Sequence, residues 1–228
     1  MIEGHARQQS DEMSKAERGE RSVRMQERGR IRRQKLLDTA ADLLEEIPLN
    51  ELNLGHVAKA AEVPKASAYH FYKDIFDLYS ELSARVGEEL DAVLREFPLR
   101  ETNGWRGIVA DALAHGAAFL NERAFRRQLI WGAKVPMDIK RSDRNNDRRI
   151  ARTLLARIQE LYLVPEIPRR EEIFYQAIEI ADLLFCLCML DNARLTDRAL
   201  ADAQTAATAY LGVYLPSELP HRELAETA

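Results

Sequence analysis

Apolar residues recur at helical spacing along most of the chain, and prolines or capping residues stand where the stripes break. Leu36, Leu37, Ala40, Leu43, Leu44 and Ile47 form a first stripe that stops at Pro48. Asn53 is a good N-cap for a second, short helix with Leu54, Val57, Ala58 and Ala61 on its buried side. That helix ends near Ala61, because Pro64 disfavours the α region at Val63. Pro64 is itself suited to open a third helix, where its missing N–H costs nothing. Ala66, Tyr69 and Lys73 then lie on one side, with Lys65, Ala68 and Tyr72 beside them. Ile75, Tyr79, Leu82, Val86, Leu90, Val93 and Phe97 make a long stripe ending at Pro98. Four such helices share one small core: a helix-turn-helix with a supporting helix on either side.

Beyond Pro98 the spacing predicts helices over 102–121 (Trp105, Ile108, Val109, Ala112, Phe119) and 123–133 (Phe125, Leu129, Ile130, Trp131). Residues 134–147, KVPMDIKRSDRNND, read as a charged loop, and a helix over 148–163 follows, bounded by Pro165 and Pro168. After Pro168, Ile173, Ala177, Ile180, Leu184 and Leu187 fall on one helix face and Phe174, Ile178, Ala181, Phe185 and Met189 on a second. A helix apolar on two faces is buried on two sides. The last helix, capped by Thr196, places Ala199, Ala203, Ala206, Tyr210, Val213 and Tyr214 together. Small residues let helix axes approach closely.

The fold class read from this pattern is all-α, with about nine helices. An N-terminal helix-turn-helix domain of three helices is joined by a long helix to a C-terminal bundle that dimerises. The expected divisions are a disordered basic arm over 1–30, the helix-turn-helix domain over 31–80, an effector-binding and dimerisation domain over 81–215 and a tail over 216–228. The dimer face is expected to use Ile173, Ala177, Ile180, Leu184, Leu187, Ala199, Ala203, Ala206 and Tyr210. Trp105, Phe119, Trp131, Phe174, Ile178 and Phe185, with His115, Tyr175 and Asp182 as polar handles, could line a pocket for a small apolar organic effector. An aromatic stripe at helical spacing is also what a plain core looks like.

Charge sharpens the reading of the N-terminal half. The net charge of −4 argues against indiscriminate binding to nucleic acid, yet the distribution is uneven. Residues 21–35 hold Arg21, Arg24, Arg28, Arg30, Arg32, Arg33 and Lys35 against the single acid Glu27. The outer face of the third helix adds donors suited to phosphates and base edges. Lys65, Ala66, Ser67 and Tyr69 are expected to face bases or the groove wall, and His70, Tyr72 and Lys73 to hold phosphates. Asn53, Arg32 and Arg33 are expected to add contacts. A dimer would set two such helices about 34–36 Å apart on an inverted-repeat operator in double-stranded DNA.

The run Asn53, Val57-Ala58, Ala61, Val63, Lys65, Ser67 and Tyr69-His70-Phe71-Tyr72-Lys73-Asp74, followed by Phe76 and Leu78, resembles the N-terminal domain of the tetracycline-repressor (TetR/AcrR) family. The likeness covers about residues 33–85, and the Tyr-His-Phe-Tyr block is its most specific part. It implies a dimeric transcriptional regulator, generally a repressor, released from DNA by a small organic effector in the C-terminal domain. Two positions depart from the family: Glu62 stands where the turn usually has Gly, and Pro64 where Ser or Thr usually caps the third helix. A Glu held at positive φ costs on the order of 1 kcal/mol relative to Gly.

Enzyme chemistry finds little support. Gly104 and Gly107 do not make a phosphate loop, there is no Gly-x-Ser-x-Gly elbow, and Pro220 interrupts the Glu218–His221 spacing of a di-iron helix. Cys186 and Cys188 point about 200° apart on a helix, which predicts buried small hydrophobes. No metal or cofactor is expected. No apolar run reads as a signal peptide or membrane span, so a soluble, cytoplasmic protein is expected. A second reading stays open: a helical ligand-binding or protein-interaction module whose helix-turn-helix does not read DNA.

Overall fold

A computed structural model of the chain describes residues 25–100, 104–132 and 137–222, apart from the side chains of 137–144. The described residues form nine helices and no strand beyond one isolated bridge between Tyr162 and His221. The helices are α1 (25–43), α2 (Leu54–Ala60), α3 (Lys65–Phe71), α4 (Ile75–Glu96), α5 (Gly104–Glu122), α6 (Ala124–Ile130), α7 (Met137–Leu161), α8 (Arg170–Asp191) and α9 (Asp197–Leu211). Helices α1–α3 and the start of α4 enclose one core, in which Leu36, Leu44, Leu54, Val57, Ala68, Leu78 and Tyr79 are fully buried. Helix α4 continues into the second half, where it packs mainly on α7, while α8 packs on α7 and α9.

Local sequence sets most boundaries. Asn53 Oδ1 accepts the His56 amide at 3.0 Å and so caps α2. Asp74 caps α4 by accepting from the amides of Phe76 (2.8 Å) and Asp77 (3.1 Å). Thr196 caps α9 through the Ala199 amide at 3.2 Å. Between α2 and α3, the Val63 amide donates to Ala58 O at 3.0 Å and the Glu62 amide to Lys59 O at 3.1 Å. These are the two bonds of a Schellman closure, and they place Glu62 in the left-handed region with φ 52°.

Three expectations need correction. Helix α1 already runs at residue 25, so residues 25–30 are helical where a disordered arm is expected; residues 1–24 lie outside the described residues. The stretch expected as a loop over 134–147 is helical from Met137, which extends α7 by three turns; residues 134–136 are outside the description. Its Lys and Arg side chains tolerate a helix well, and Pro136 is the last proline before the helix ends. Residues 216–222 are docked rather than loose. Trp105 Nε1 donates to Pro216 O at 2.9 Å, Arg106 to Ser217 O at 2.7 Å, and the Leu163 amide to Pro220 O at 2.8 Å, with Leu215 and Leu219 buried.

Helix α8 corrects the reading of hydropathy. At 22 residues it is long and apolar enough to cross a bilayer by composition alone. Packing against α7 and α9 accounts for its buried side, formed by Ile173, Phe174, Ala177, Ile178, Ala181 and Phe185. Cys186 and Cys188 are not joined in a disulfide and are only half-buried, not core residues. Cys186 Sγ lies 3.7 Å from Asp182 Oδ2.

Candidate nucleic-acid interface and ligand cavity

Helix α3 presents one face to solvent and anchors itself with the other. Lys65, Ala66, Tyr69 and His70 are exposed, Ser67 is half-exposed, and Ala68 is fully buried against α1 and α2. Tyr69 is 48% exposed, unusual for a large aromatic side chain, and the Lys65 ammonium sits 5.7 Å from its ring centroid. Lys73 is exposed just past the helix, its amide held by Asp77 Oδ2 at 2.9 Å. No ion pair involves Lys65, Lys73, Arg28 or Arg32 among the described residues, so their charge faces water.

Two expected DNA contacts are used inside the domain instead. Tyr72 is buried, and its hydroxyl donates to Glu81 Oε2 at 2.8 Å. Arg33 donates to the same carboxylate at 3.0 Å and 2.7 Å, with its guanidinium 5.8 Å from the Tyr72 ring centroid. Burial first, and then the bond to Glu81, push the Tyr72 phenol well above its ordinary range, so it stays neutral. The triad fastens the end of α3 to α1 and α4. In the basic arm, Arg30 is similarly paired with Glu27 and Lys35 with Glu62. Asn53 remains exposed, but its carbonyl oxygen is committed to the cap.

The second half holds a partly open cavity of about 70 Å³ between α4, α5, α7 and α8, also lined by Ile130 and Trp131. Its walls are mainly carbon: Val86, Leu90, Leu94, Leu113, Leu120, Ile150, Leu154, Ile178 and Phe185, among others. Asn146, Asp147 and Asp182 supply the polar groups, and Trp131 Nε1 donates to Asp182 Oδ1 at 2.9 Å. Of the nine residues expected to line a pocket, Trp131, Ile178, Asp182 and Phe185 do so.

The other five have different roles. Trp105 holds the docked C-terminal segment, and Phe174 is packed wholly in the core. Phe119 lies under the Arg126 guanidinium at 3.7 Å, and Tyr175 under that of Arg148 at 4.2 Å. His115 is exposed, with Nδ1 2.8 Å from Asp111 O. Periodicity finds the buried side of a helix but does not say which part of that side meets empty space. Asn146 and Asp147 were hidden from it because they fall in the stretch that reads as loop.

Helix α6 touches both halves. At its C-terminal end Ile130 and Trp131 line the cavity. Three residues earlier, Gln128 accepts from the Leu49 amide at 2.7 Å and donates to Leu44 O and Ile47 O at 2.6 Å and 3.2 Å, clasping the end of α1. At its start, Arg123 Nε and the Ala124 amide both bind Glu45, at 2.7 Å and 2.9 Å. Burial alone would raise the Glu45 carboxyl, but Arg123 and the amides of Ala124 and Phe125 outweigh it and hold it below its ordinary value.

The face expected to meet a second chain divides along α8 and α9. Ile173, Ala177 and Ala203 are buried by the chain's own helices, so they are not available to a partner. Ile180, Leu184, Ala199, Ala206 and Tyr210 are half-buried. Tyr210 also shares a hydrogen bond with Gln176. Leu187 is exposed, and so are Leu183 and Leu190 on the same side of α8 and Val213 and Tyr214 just beyond α9. The N-terminal part of the predicted stripe is thus internal and its C-terminal part is open.

No protein-family model matches the sequence, and no curated protein matches it. Solved structures do. A TetR-family transcriptional regulator from Streptomyces coelicolor aligns with TM-score 0.62 at 24% identity, over 80% of this chain and 98% of that one. A TetR transcriptional regulator from Rhodococcus sp. RHA1 aligns with TM-score 0.62 at 16% identity, over 80% and 96%. SmeT, the repressor of the Stenotrophomonas maltophilia multidrug efflux pump SmeDEF, aligns with TM-score 0.57 at 15% identity, over 80% and 90%. The all-α fold of this chain is that of TetR-family transcriptional regulators.

Proposed function

We propose that a chain with this fold and this α3 surface is a cytoplasmic, homodimeric transcriptional regulator of the TetR family, generally a repressor, whose hold on DNA a small apolar organic effector releases. The observation that carries the reading is the outer face of α3. Lys65, Ala66, Tyr69 and His70 stand in solvent, with Ser67 half-exposed among them, on a helix anchored by Ala68 and Tyr72, with Lys73 at its end. A rigid helix that exposes donors and a tyrosine ring, beside the exposed Arg28 and Arg32, suits a major groove flanked by phosphates. Lys65, Ala66, Ser67 and Tyr69 take the bases or groove wall, and His70 and Lys73 the phosphates. Arg33 and Tyr72 support the helix from behind.

Dimerisation is supported by the uncovered apolar side chains Leu183, Leu187 and Leu190 of α8, together with Val213 and Tyr214. Pairing these across a twofold axis would complete a four-helix interface with α9 and set two α3 helices on one face of an inverted repeat. The effector acts through α6. A molecule that widens the cavity displaces Ile130 and Trp131, and Gln128 transmits the shift to the end of α1. It lowers DNA affinity only to the extent that it binds better to the conformer whose α3 helices are wrongly spaced.

Selection of the full-length protein against a random duplex library at about physiological salt tests the reading. Enrichment of an inverted repeat is the expected result. A folded protein that enriches nothing, both as purified and after refolding to strip ligand, would remove DNA reading and leave a helical binding module.

A further inference from the structure

Among the described residues that line the cavity, the Asn146 amide nitrogen is left without a hydrogen-bond partner. Asn146 is 8% exposed, and its Nδ2 is buried with no hydrogen-bond acceptor. Its orientation is fixed by its other end, because Oδ1 accepts from Arg149 Nη2 at 3.1 Å. Turning the amide over would set two donors against each other. Arg149 is in turn steered by Asp91 Oδ2 at 3.6 Å, a buried carboxylate that also takes the Thr153 hydroxyl at 2.6 Å and Arg95 at 2.6 Å. On the facing helix, Gly87 gives the amide its seat, since a β-carbon there would overlap it. The chain therefore assembles several groups to hold a donor at the wall of an apolar space. Buried amide donors are nearly always satisfied, and leaving one unpaired is among the larger penalties a core can carry.

We infer that the cavity takes an uncharged, mainly apolar molecule bearing an acceptor oxygen of the ketone, ester or lactone type, and that Asn146 Nδ2 donates to that oxygen. This rests on the reading of the cavity as the effector site and names the effector's chemistry. A carbonyl satisfies the donor without bringing a hydrogen that the carbon walls could not accept. A carboxylate ligand would give up its hydration to walls that are mainly carbon, with one amide donor to replace it. The match is specific in position: one donor, seated against Gly87 in a lining that also includes Leu90, Ile150 and Ile178, selects where on an apolar skeleton the oxygen must sit.

Three probes of one shape separate the possibilities: acetophenone, isopropylbenzene and benzoate, titrated into the full-length protein and followed by calorimetry and by the fluorescence of Trp131. The quantity read is the ratio of the isopropylbenzene and acetophenone dissociation constants, compared between the wild type and Asn146→Leu. Comparison between proteins cancels the difference in hydration of the two probes. The ratio is expected to fall on the order of tenfold in Asn146→Leu, with isopropylbenzene binding retained. Asn146→Asp keeps the size of the side chain and the bond from Arg149, removes the donor, and is expected to give the same fall if the leucine variant does not fold. An unchanged ratio, or benzoate binding as tightly as acetophenone, overturns the inference while leaving the cavity a ligand site. Binding of none of the probes to the wild type overturns both together.

Discussion

Replacing Glu62 with glycine should make the protein more stable, although it deletes an ion pair. Glu62 is the left-handed residue of the α2–α3 turn, at φ 52°. A side chain in that region costs about 1–2 kcal/mol relative to glycine. Glycine's greater freedom in the unfolded chain takes back about 0.4–1 kcal/mol. The pair with Lys35 spans 3.5 Å between side chains 50% and 86% exposed, so solvent reduces its contribution to near zero. The net gain is about 0–1.6 kcal/mol with its centre near about 0.8 kcal/mol, and since 1 kcal/mol shifts a chain of this length by roughly 2–4 °C, the midpoint should rise by about 2–3 °C at that centre. Glu62→Gln is the control, because it keeps the strain and loses only the pair; its midpoint should stay within about 1 °C of the wild type. Thermal unfolding followed by circular dichroism at one protein concentration reads all three proteins. Both Schellman bonds are made by the backbone, so operator affinity should not fall in Glu62→Gly. A midpoint for Glu62→Gly at or below that of Glu62→Gln would refute the assignment of strain to this turn.

Two other outcomes follow from the same geometry. Lys73→Ala should weaken binding to all duplexes alike and flatten the dependence of log affinity on log salt by about one unit, as loss of one phosphate contact does; a loss confined to one base position would contradict the role. The clasp between Glu45 and α6 should resist mild acid. Because the Glu45 carboxyl is held below its ordinary value, its contribution is complete above the unfolded value of about 4.3 and disappears as pH falls through the lower folded value. Carboxyl carbon shifts from an NMR titration should show a midpoint below about 4.3, and one at or above it would mean that the clasp does not favour the ionised form.

What the sequence made legible was punctuation more than destination. Asn53, Pro64, Pro98 and Thr196 act locally, through capping bonds or steric bans that need no distant partner, and the helix limits they imply are those observed. The left-handed turn at Glu62 was raised only by the family resemblance, which puts Gly there; nothing local in the sequence marks it. Tyr72 and Arg33 were assigned to phosphates because nothing within a few residues shows that Glu81, on another helix, takes both. The start of α7 was missed because an Asp- and Asn-rich stretch carries no apolar period, and with it went Asn146, the most informative residue of the cavity. On α8 the stripe of Ile173, Ala177, Ile180, Leu184 and Leu187 is present as read, but which end of it the chain itself covers depends on where α7 and α9 lie.

The docked segment after α9 bears on the order in which the molecule can be completed as it is made. The bond from Trp105 to Pro216 and that from Arg106 to Ser217 each join residues 111 positions apart. Within the N-terminal half, by contrast, the Tyr72–Glu81 and Arg33–Glu81 links span 9 and 48 positions. During synthesis the first half can close its core while the second is still emerging, because domains fold as units from the N-terminal side. Helix α5 must wait with the indole of Trp105 unsatisfied until residues beyond α9 arrive. A growing chain of this protein therefore passes through a stage at which its N-terminal helix-turn-helix is finished and its C-terminal bundle is not.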